Sequence, residues 1–265
     1  MQTSAVETTE GRVAGMVFRP NPDATVRLFC FAYAGGGASM YARWHRFLPA
    51  YAEVVSLQLP GRENTFRASV LTDMETVVAE CVRVVLNRSN LPFAFFGHSL
   101  GGLLGFEIAR ALQRRRAALP ETLYVSGVRA PFLPPRRKPI CELSDAEFVA
   151  EIRKYNGTPE SVLQNRELLP LVLPALRADT TVFDRYRYRR DDRLSCPIVA
   201  FGGNNDPFVN MEELTGWEAE TSADFRYRVF EGDHFFIHPH ERELQQEVSS
   251  GLARVLELHD ASCAT

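Results

Sequence analysis

The chain has 265 residues, 45% of them hydrophobic and 24% charged, which suits a globular chain with one sizeable buried core and excludes wholesale disorder. A formal net charge of −3 argues against bulk electrostatic binding of nucleic acid. No apolar run reaches the roughly 18 residues of a membrane helix, and the polar, acidic residues 1–11 lack the regions of a signal peptide, so no membrane association is expected and the expected location is cytoplasmic.

Short apolar runs alternate with longer amphipathic stretches, the pattern of βα units and a mostly parallel sheet, hence an α/β class. Residues 26–33 (VRLFCFAY) read as a buried strand that runs into Ala34-Gly35-Gly36-Gly37. Residues 39–51 read as a helix with Trp44, Phe47 and Leu48 on its apolar face. Residues 53–59 are the next strand, closed by Pro60-Gly61. Residues 73–86 carry Met74, Val77, Val78, Cys81 and Val85 on one helical stripe. A short strand at 92–96 meets Gly97-His98-Ser99-Leu100-Gly101, with a helix to about residue 115 and a strand at 122–126 after it.

The rhythm then breaks. Pro131 to Pro139 reads as a loop, and Ser144 with Glu147 is a capping-box signature for a helix ending near Tyr155. Residues 168–186 hold another helical pattern that Pro170 and Pro174 should interrupt. Residues 131–194 are thus predicted to be a helical insertion in a single domain whose core spans about 13–130 and 195–258. The sheet resumes at 197–201 and 226–230, a helix at 241–258 closes the fold, and residues 1–12 and 259–265 are expected to fray. Cys30, Cys81, Cys141, Cys196 and Cys263 form no CxxC pair, are odd in number and mostly sit in apolar runs, so they read as reduced, buried small side chains.

The main chemical signal is the G-x-S-x-G at residues 97–101. The five residues alone are a weak pattern, but a strand before and a helix after them make the strand–turn–helix of a nucleophile elbow. A sharp turn lifts the Ser99 hydroxyl out of the sheet, and the helix N-terminus offers free N–H groups to a developing oxyanion. A serine needs a base and an orienting acid. His98 is too close in the chain to turn onto Ser99, His45 lies on a predicted helix before the elbow and His259 is in the tail. His234 follows the last predicted strand across Glu231-Gly232-Asp233, at the same carboxyl edge as Ser99, and is the expected base. Asp206 follows the strand at 197–201 across Gly202 to Asn205 and is the expected acid, in the order Ser, Asp, His. The expected oxyanion donors are the N–H of Leu100 and that of Ala34, with Gly35 the next choice. The glycine cluster lacks the spacing and the Lys-Ser/Thr of a phosphate loop, and Pro239 breaks the helical geometry that a metal site on His234, His238 and His240 would use.

Taken in order, Phe29-Cys-Phe-Ala-Tyr-Ala-Gly-Gly36 with Tyr41 and Trp44, Leu59-Pro-Gly-Arg-Glu63, Gly97-His-Ser-Leu-Gly101 with Phe106-Glu107, Ser126-Gly-Val-Arg-Ala-Pro131, Gly202 to Pro207, and Gly232-Asp-His-Phe-Phe236 resemble the type II (editing) thioesterases of polyketide and nonribosomal peptide synthesis, over about residues 26–256. Ala32, where that family often has proline, and the third glycine, Gly37, depart from its pattern. The resemblance implies an α/β-hydrolase fold with a helical lid. It implies hydrolysis of acyl groups, aberrant or decarboxylated ones included, from the phosphopantetheine arm of acyl or peptidyl carrier proteins through an acyl-serine. No metal or diffusible cofactor is required by that chemistry.

Carrier proteins are usually acidic, so the basic clusters at residues 114–116, 136–138 and 185–193 are candidates for steering one, against a plain solvated surface. Phe132, Leu133, Phe148, Val172, Leu173, Leu176 and Phe183 could line an acyl pocket or form the insertion's own core. A monomer is expected, since nothing in the sequence marks an oligomer surface. The competing readings are a carboxylesterase or lipase on oxygen esters, an acyltransferase, and a non-catalytic module, the last disfavoured by the intact serine, aspartate and histidine.

Overall fold

The structure is a computed structural model that describes residues 12–263, with side chains described through residue 256. Its strands are β1 (Ala14–Met16), β2 (Val26–Phe31), β3 (Ala52–Gln58), β4 (Phe93–His98), β5 (Leu123–Ser126), β6 (Ile198–Gly203) and β7 (Phe225–Phe230). They form a seven-stranded sheet in the order β1-β3-β2-β4-β5-β6-β7. Only β1 runs antiparallel, with Ala14 opposite Gln58; the other five pairings are parallel. β2 and β4 are the central strands, and their near-continuous burial explains the unbroken apolar runs VRLFCF and FAFFGH.

Alternate residues feed two cores. Phe29, Phe31, Phe93 and Phe95 face α1 (Met74–Leu86) and α2 (Leu100–Arg114), with edge-on ring pairs at 5.2–5.9 Å. Leu28, Cys30, Ala94 and Phe96 face the opposite side, where Tyr41, Trp44 and the final helix lie. Asp73 caps α1 by accepting the Thr76 N–H at 2.8 Å. Cys30, Cys81, Cys141 and Cys196 are free and buried; the Cys263 side chain lies outside the description.

Between β5 and β6 the chain forms three helices: α3 (Asp145–Tyr155), α4 (Glu160–Leu163) and α5 (Leu169–Arg185). The capping box of Ser144 and Glu147 is present. Pro170 and Pro174 do not interrupt α5. Pro170 sits in the first turn, where its missing N–H has no helical partner to lose. Pro174 falls four residues later, so the one hydrogen bond it removes is that to Pro170 at the helix entrance. After β6 come the short α6 (Met211–Thr215) and a tighter turn at Gly216–Glu220, then β7 and α7 (Glu241–Cys263).

The predicted helix at 39–51 is replaced by two short 3₁₀ turns, Ala38–Tyr41 and Trp44–Arg46. Tyr41, Trp44 and Phe47 recur every three residues, which a three-residue turn puts on one side. Two of them, Tyr41 and Trp44, are buried, and Tyr41 donates its hydroxyl proton to the Phe31 carbonyl at 2.9 Å. The predicted frayed tail is also corrected in part: residues 259–263 continue α7, while residues 1–11 and 264–265 lie outside the described residues.

Candidate active site

Ser99 stands between β4 and α2 with φ 54° and ψ −119°, a backbone region that costs an L-residue of order 1–3 kcal/mol. The neighbouring glycines make this turn possible. A Cβ on Gly97 would lie 2.1 Å from the Gly101 carbonyl oxygen, and one on Gly101 would lie 2.0 Å from the Phe31 carbonyl oxygen. The turn is fixed from both sides: the Ser99 N–H donates to the Ser126 carbonyl at 2.7 Å, and the Ser99 carbonyl accepts the Gly102 N–H at 3.0 Å.

The structure brings Ser99, His234 and Asp206 together from the loops after β4, β7 and β6. Asp206 Oδ2 lies 2.8 Å from His234 Nδ1, and His234 Nε2 lies 3.1 Å from Ser99 Oγ. A carboxylate only accepts, so Nδ1 carries the proton and Nε2 is left to accept the serine hydroxyl proton. The other Asp206 oxygen accepts the Phe208 N–H at 2.8 Å, and the Asp206 side chain is fully buried. His234 is enclosed by aromatic rings: Tyr155, from the end of α3, stacks on Phe208 at 3.8 Å, and both present edges to the imidazole.

His98 is wholly buried, with its ring centroid 5.2 Å from that of His234. It is hydrogen-bonded through Nδ1 to Ser126 Oγ at 2.9 Å. Burial pushes its imidazole well below the ordinary value, with the neighbouring His234 and His238 acting in the same direction, so it is neutral. Burial likewise pushes the Tyr155 phenol up to about 12.

The loop after β2 passes close to Ser99. The Gly35 N–H donates to Asp179 Oδ2 of α5 at 2.7 Å, and the Gly36 N–H donates to the Tyr33 carbonyl at 2.8 Å. Among the described residues no partner engages the N–H of Ala34 or that of Leu100, the first residue of α2. Gly35, the second choice from sequence, is thereby removed as a donor. Gly37 lies against the Glu63 side chain, whose Oε1 a Cβ there would meet at 2.1 Å.

A cavity of about 740 Å³ opens over Ser99 and His234 beneath the insertion. The apolar residues of the insertion divide between the two roles left open above. Phe132, Leu133 and Phe183 line the cavity, Leu176 lines it and also belongs to the insertion's own cluster, Phe148 is buried in that cluster with Ile140, Ile152 and Leu163, Leu173 packs against it, and Val172 is exposed. Arg129, Arg136, Arg137 and Arg187 also line it. Arg114, Arg115 and Arg116 do not: they stand at the far end of α2, about 20 Å from Ser99 at 1.5 Å per residue.

Two site features escaped the sequence reading. Tyr155 and Phe208, which wall His234, are 53 residues apart and belong to segments with no shared pattern. Asp179, which holds Gly35, lies in α5 next to Ala178, Thr180 and Thr181; its one visible signal was an acidic residue on the buried side of that helix.

A family model described as the thioesterase domain matches residues 26–251. The gramicidin S biosynthesis protein GrsT of Aneurinibacillus migulanus is 42% identical over 236 residues, which cover 89% of this chain and 92% of that protein. Thioesterase PikA5 of Streptomyces venezuelae is 40% identical over 238 residues, covering 89% of this chain and 84% of that protein. Among solved structures, the type II thioesterase BorB from the borrelidin biosynthetic cluster matches with a TM-score of 0.83 at 32% identity, over 93% of this chain and 100% of that one.

Proposed function

From the premise that the chain belongs to the thioesterase family, we propose that it is a type II thioesterase that hydrolyses acyl groups from the phosphopantetheine arm of acyl or peptidyl carrier proteins in polyketide or nonribosomal peptide synthesis. The observation that carries this reading is the unbroken hydrogen-bond chain from Asp206 through His234 to Ser99, open to a cavity large enough for an acyl group.

In this reading Ser99 Oγ attacks the thioester carbonyl while His234 Nε2 takes its proton, and Asp206 stabilises the imidazolium that results. The tetrahedral oxyanion is held by the Ala34 and Leu100 N–H groups, with the positive end of α2 behind them. The thiolate, whose conjugate acid has an ordinary pKa of about 8.5, is a good leaving group and takes the proton from the His234 imidazolium as it departs, which restores the neutral base. Water then enters, His234 removes its proton as the water attacks the acyl-Ser99 ester, and the same proton returns to Ser99 Oγ as the free acid is released. Tyr155 and Phe208 wall the imidazole and keep His234 largely out of bulk water. The helices of residues 131–194 act as the lid of the single domain.

The carrier is taken to approach over the basic lining of the cavity mouth. Arg187 is exposed there, and its hydrogen bonds go to the carbonyls of Asp184 and Tyr186, which leaves its charge available to an acidic partner. Arg136 and Arg137 are already engaged with Glu213 and Asp184. The test is kcat/KM for an acyl-carrier thioester against the matched oxygen ester. A preference for the carrier thioester of 100-fold or more supports the proposal; a preference for the oxygen ester replaces it with the carboxylesterase reading.

A further inference from the structure

Behind the loop of residues 34–37 lies an ion pair that joins two distant parts of the chain. Arg62, in the turn after β3, meets Asp179 of α5 through two parallel contacts, Nη1 to Oδ2 at 2.5 Å and Nη2 to Oδ1 at 2.8 Å. The side chains are 7% and 2% exposed. An isolated buried ion pair is a poor source of stability, because desolvation offsets most of the Coulomb gain. This pair does something more specific: apart from an Arg62 Nη2 bond to the Pro60 carbonyl at 3.4 Å, its remaining bonds converge on one loop. Asp179 Oδ2 accepts the Gly35 N–H at 2.7 Å, and Arg62 Nη1 donates to the Gly36 carbonyl at 3.1 Å.

The surrounding contacts continue the pattern. Gln58 accepts the Ala38 N–H and donates to the Arg62 carbonyl at 3.0 Å. Glu63, held at φ 46°, accepts from the Ser39 hydroxyl. Gly35 has φ +78°, and a Cβ on it would lie 2.7 Å from Leu176 Cδ1, so α5 sits directly on this loop. With the Gly35 amide held by Asp179 and the Gly36 amide by Tyr33, Ala34, which lines the cavity together with Ser99, is the loop residue placed to offer it an amide.

We propose that Arg62 and Asp179 are positioning residues for the oxyanion loop, and that the loop takes its productive form only while α5 is seated on it. The proposal rests on the thioesterase reading for the identity of the oxyanion but adds a dependence between the insertion and the catalytic centre. When α5 lifts, the carboxylate leaves with it, the Gly35 N–H loses its acceptor and Arg62 loses its counter-ion. The enzyme with a raised insertion then binds substrate without a complete oxyanion site, so acyl transfer to Ser99 waits for closure.

The test compares wild type with Asp179→Ala and with the charge-free pair Arg62→Gln/Asp179→Asn, each checked for a native thermal transition. Two probes are used: butyryl-N-acetylcysteamine as thioester, and butylboronic acid, which bonds to a reactive serine and places an anionic oxygen in the oxyanion site. A positioning role lowers kcat by about 100-fold, leaves KM within about threefold, and weakens the boronic acid by a factor like that in kcat. Boronic acid binding also slows amide exchange in α5 of the wild type and not of Asp179→Ala. Folded variants with kcat and boronic acid affinity within threefold of wild type overturn the proposal, as does wild-type α5 exchange that ignores the ligand. Should the double variant not fold, Asp179→Asn, which keeps an oxygen for the Gly35 N–H, should retain more of kcat and of boronic acid affinity than Asp179→Ala, and equal losses in the two variants overturn the proposal. The boronic acid arm needs no turnover, so a wild type that binds it but leaves the thioester intact refutes the thioesterase reading and not the positioning role.

Discussion

Replacing Asp206 by asparagine changes one atom, and the structure says what that atom does. Asp206 Oδ1 accepts the Phe208 N–H and Oδ2 faces His234 Nδ1, both at 2.8 Å, in a fully buried position. An asparagine keeps its oxygen toward the Phe208 N–H, since the flipped amide would set two donors against each other. Its NH₂ then points at Nδ1, which must become the acceptor. The imidazole proton moves to Nε2, the nitrogen 3.1 Å from Ser99 Oγ, and that nitrogen can no longer take the serine proton. The fold and the cavity stay intact. The expected loss is about 10⁴-fold in kcat, or ~5.5 kcal/mol at 1.36 kcal/mol per decade, with KM little changed. Initial rates on a chromogenic thioester at pH 7 to 9, with near-identical unfolding curves as a control, measure it. A folded Asp206→Asn enzyme within tenfold of wild type would refute the assigned tautomer and with it the role of Asp206.

Gly101→Ala should lower stability by about 3 kcal/mol and abolish turnover, because the new methyl meets the Phe31 backbone at 2.0 Å; Gly105→Ala, whose nearest neighbour is the Leu123 side chain at 3.2 Å, should be near neutral in the same urea titration. His98 is held neutral by burial, so its folded pKa lies below the unfolded value of about 6.5. In that window the unfolded chain binds a proton that the folded chain refuses. Stability should therefore fall as pH drops below about 6.5, with a slope of up to 1.4 kcal/mol per unit. His240, raised by its hydrogen bond to Glu243, works in the opposite sense but is solvent-screened. Urea midpoints that stay flat from pH 7.5 to 5.5 would contradict the burial argument. Arg187→Glu should raise KM for an acidic acyl-carrier protein about three- to tenfold at low salt, and leave KM for a small thioester unchanged; equal changes in both would remove Arg187 from the carrier surface.

The sequence carried the sheet well because the inner parallel strands are buried on both faces and read as apolar runs, while the edge strand β7 shows as an alternation of apolar and basic residues. β1 went unseen because three residues at an edge hold no period. Residues 39–51 misled because Tyr41, Trp44, Phe47 and Leu48 fit both a 3.6- and a 3.0-residue turn, and packing onto the sheet selected the tighter one. Pro174 misled because a proline early in a helix costs one hydrogen bond, which the packing of Leu176, Ala178 and Val182 offsets. Ser99, Asp206 and His234 could be picked out singly because each closes a βα or β-loop junction, where the chain alone specifies the edge of the sheet. The link from Arg62 to Asp179 spans 117 residues and joins a turn to an inserted helix, and neither residue's neighbours announce the other.

The most direct measurement is intact-protein mass spectrometry of an acyl-loaded carrier protein incubated with wild type and with Ser99→Ala. Loss of the acyl mass with recovery of the free pantetheinyl carrier, in the wild-type reaction only, is the predicted result. An acyl group that remains on the carrier with wild type, or that is released equally fast by Ser99→Ala, would contradict the account.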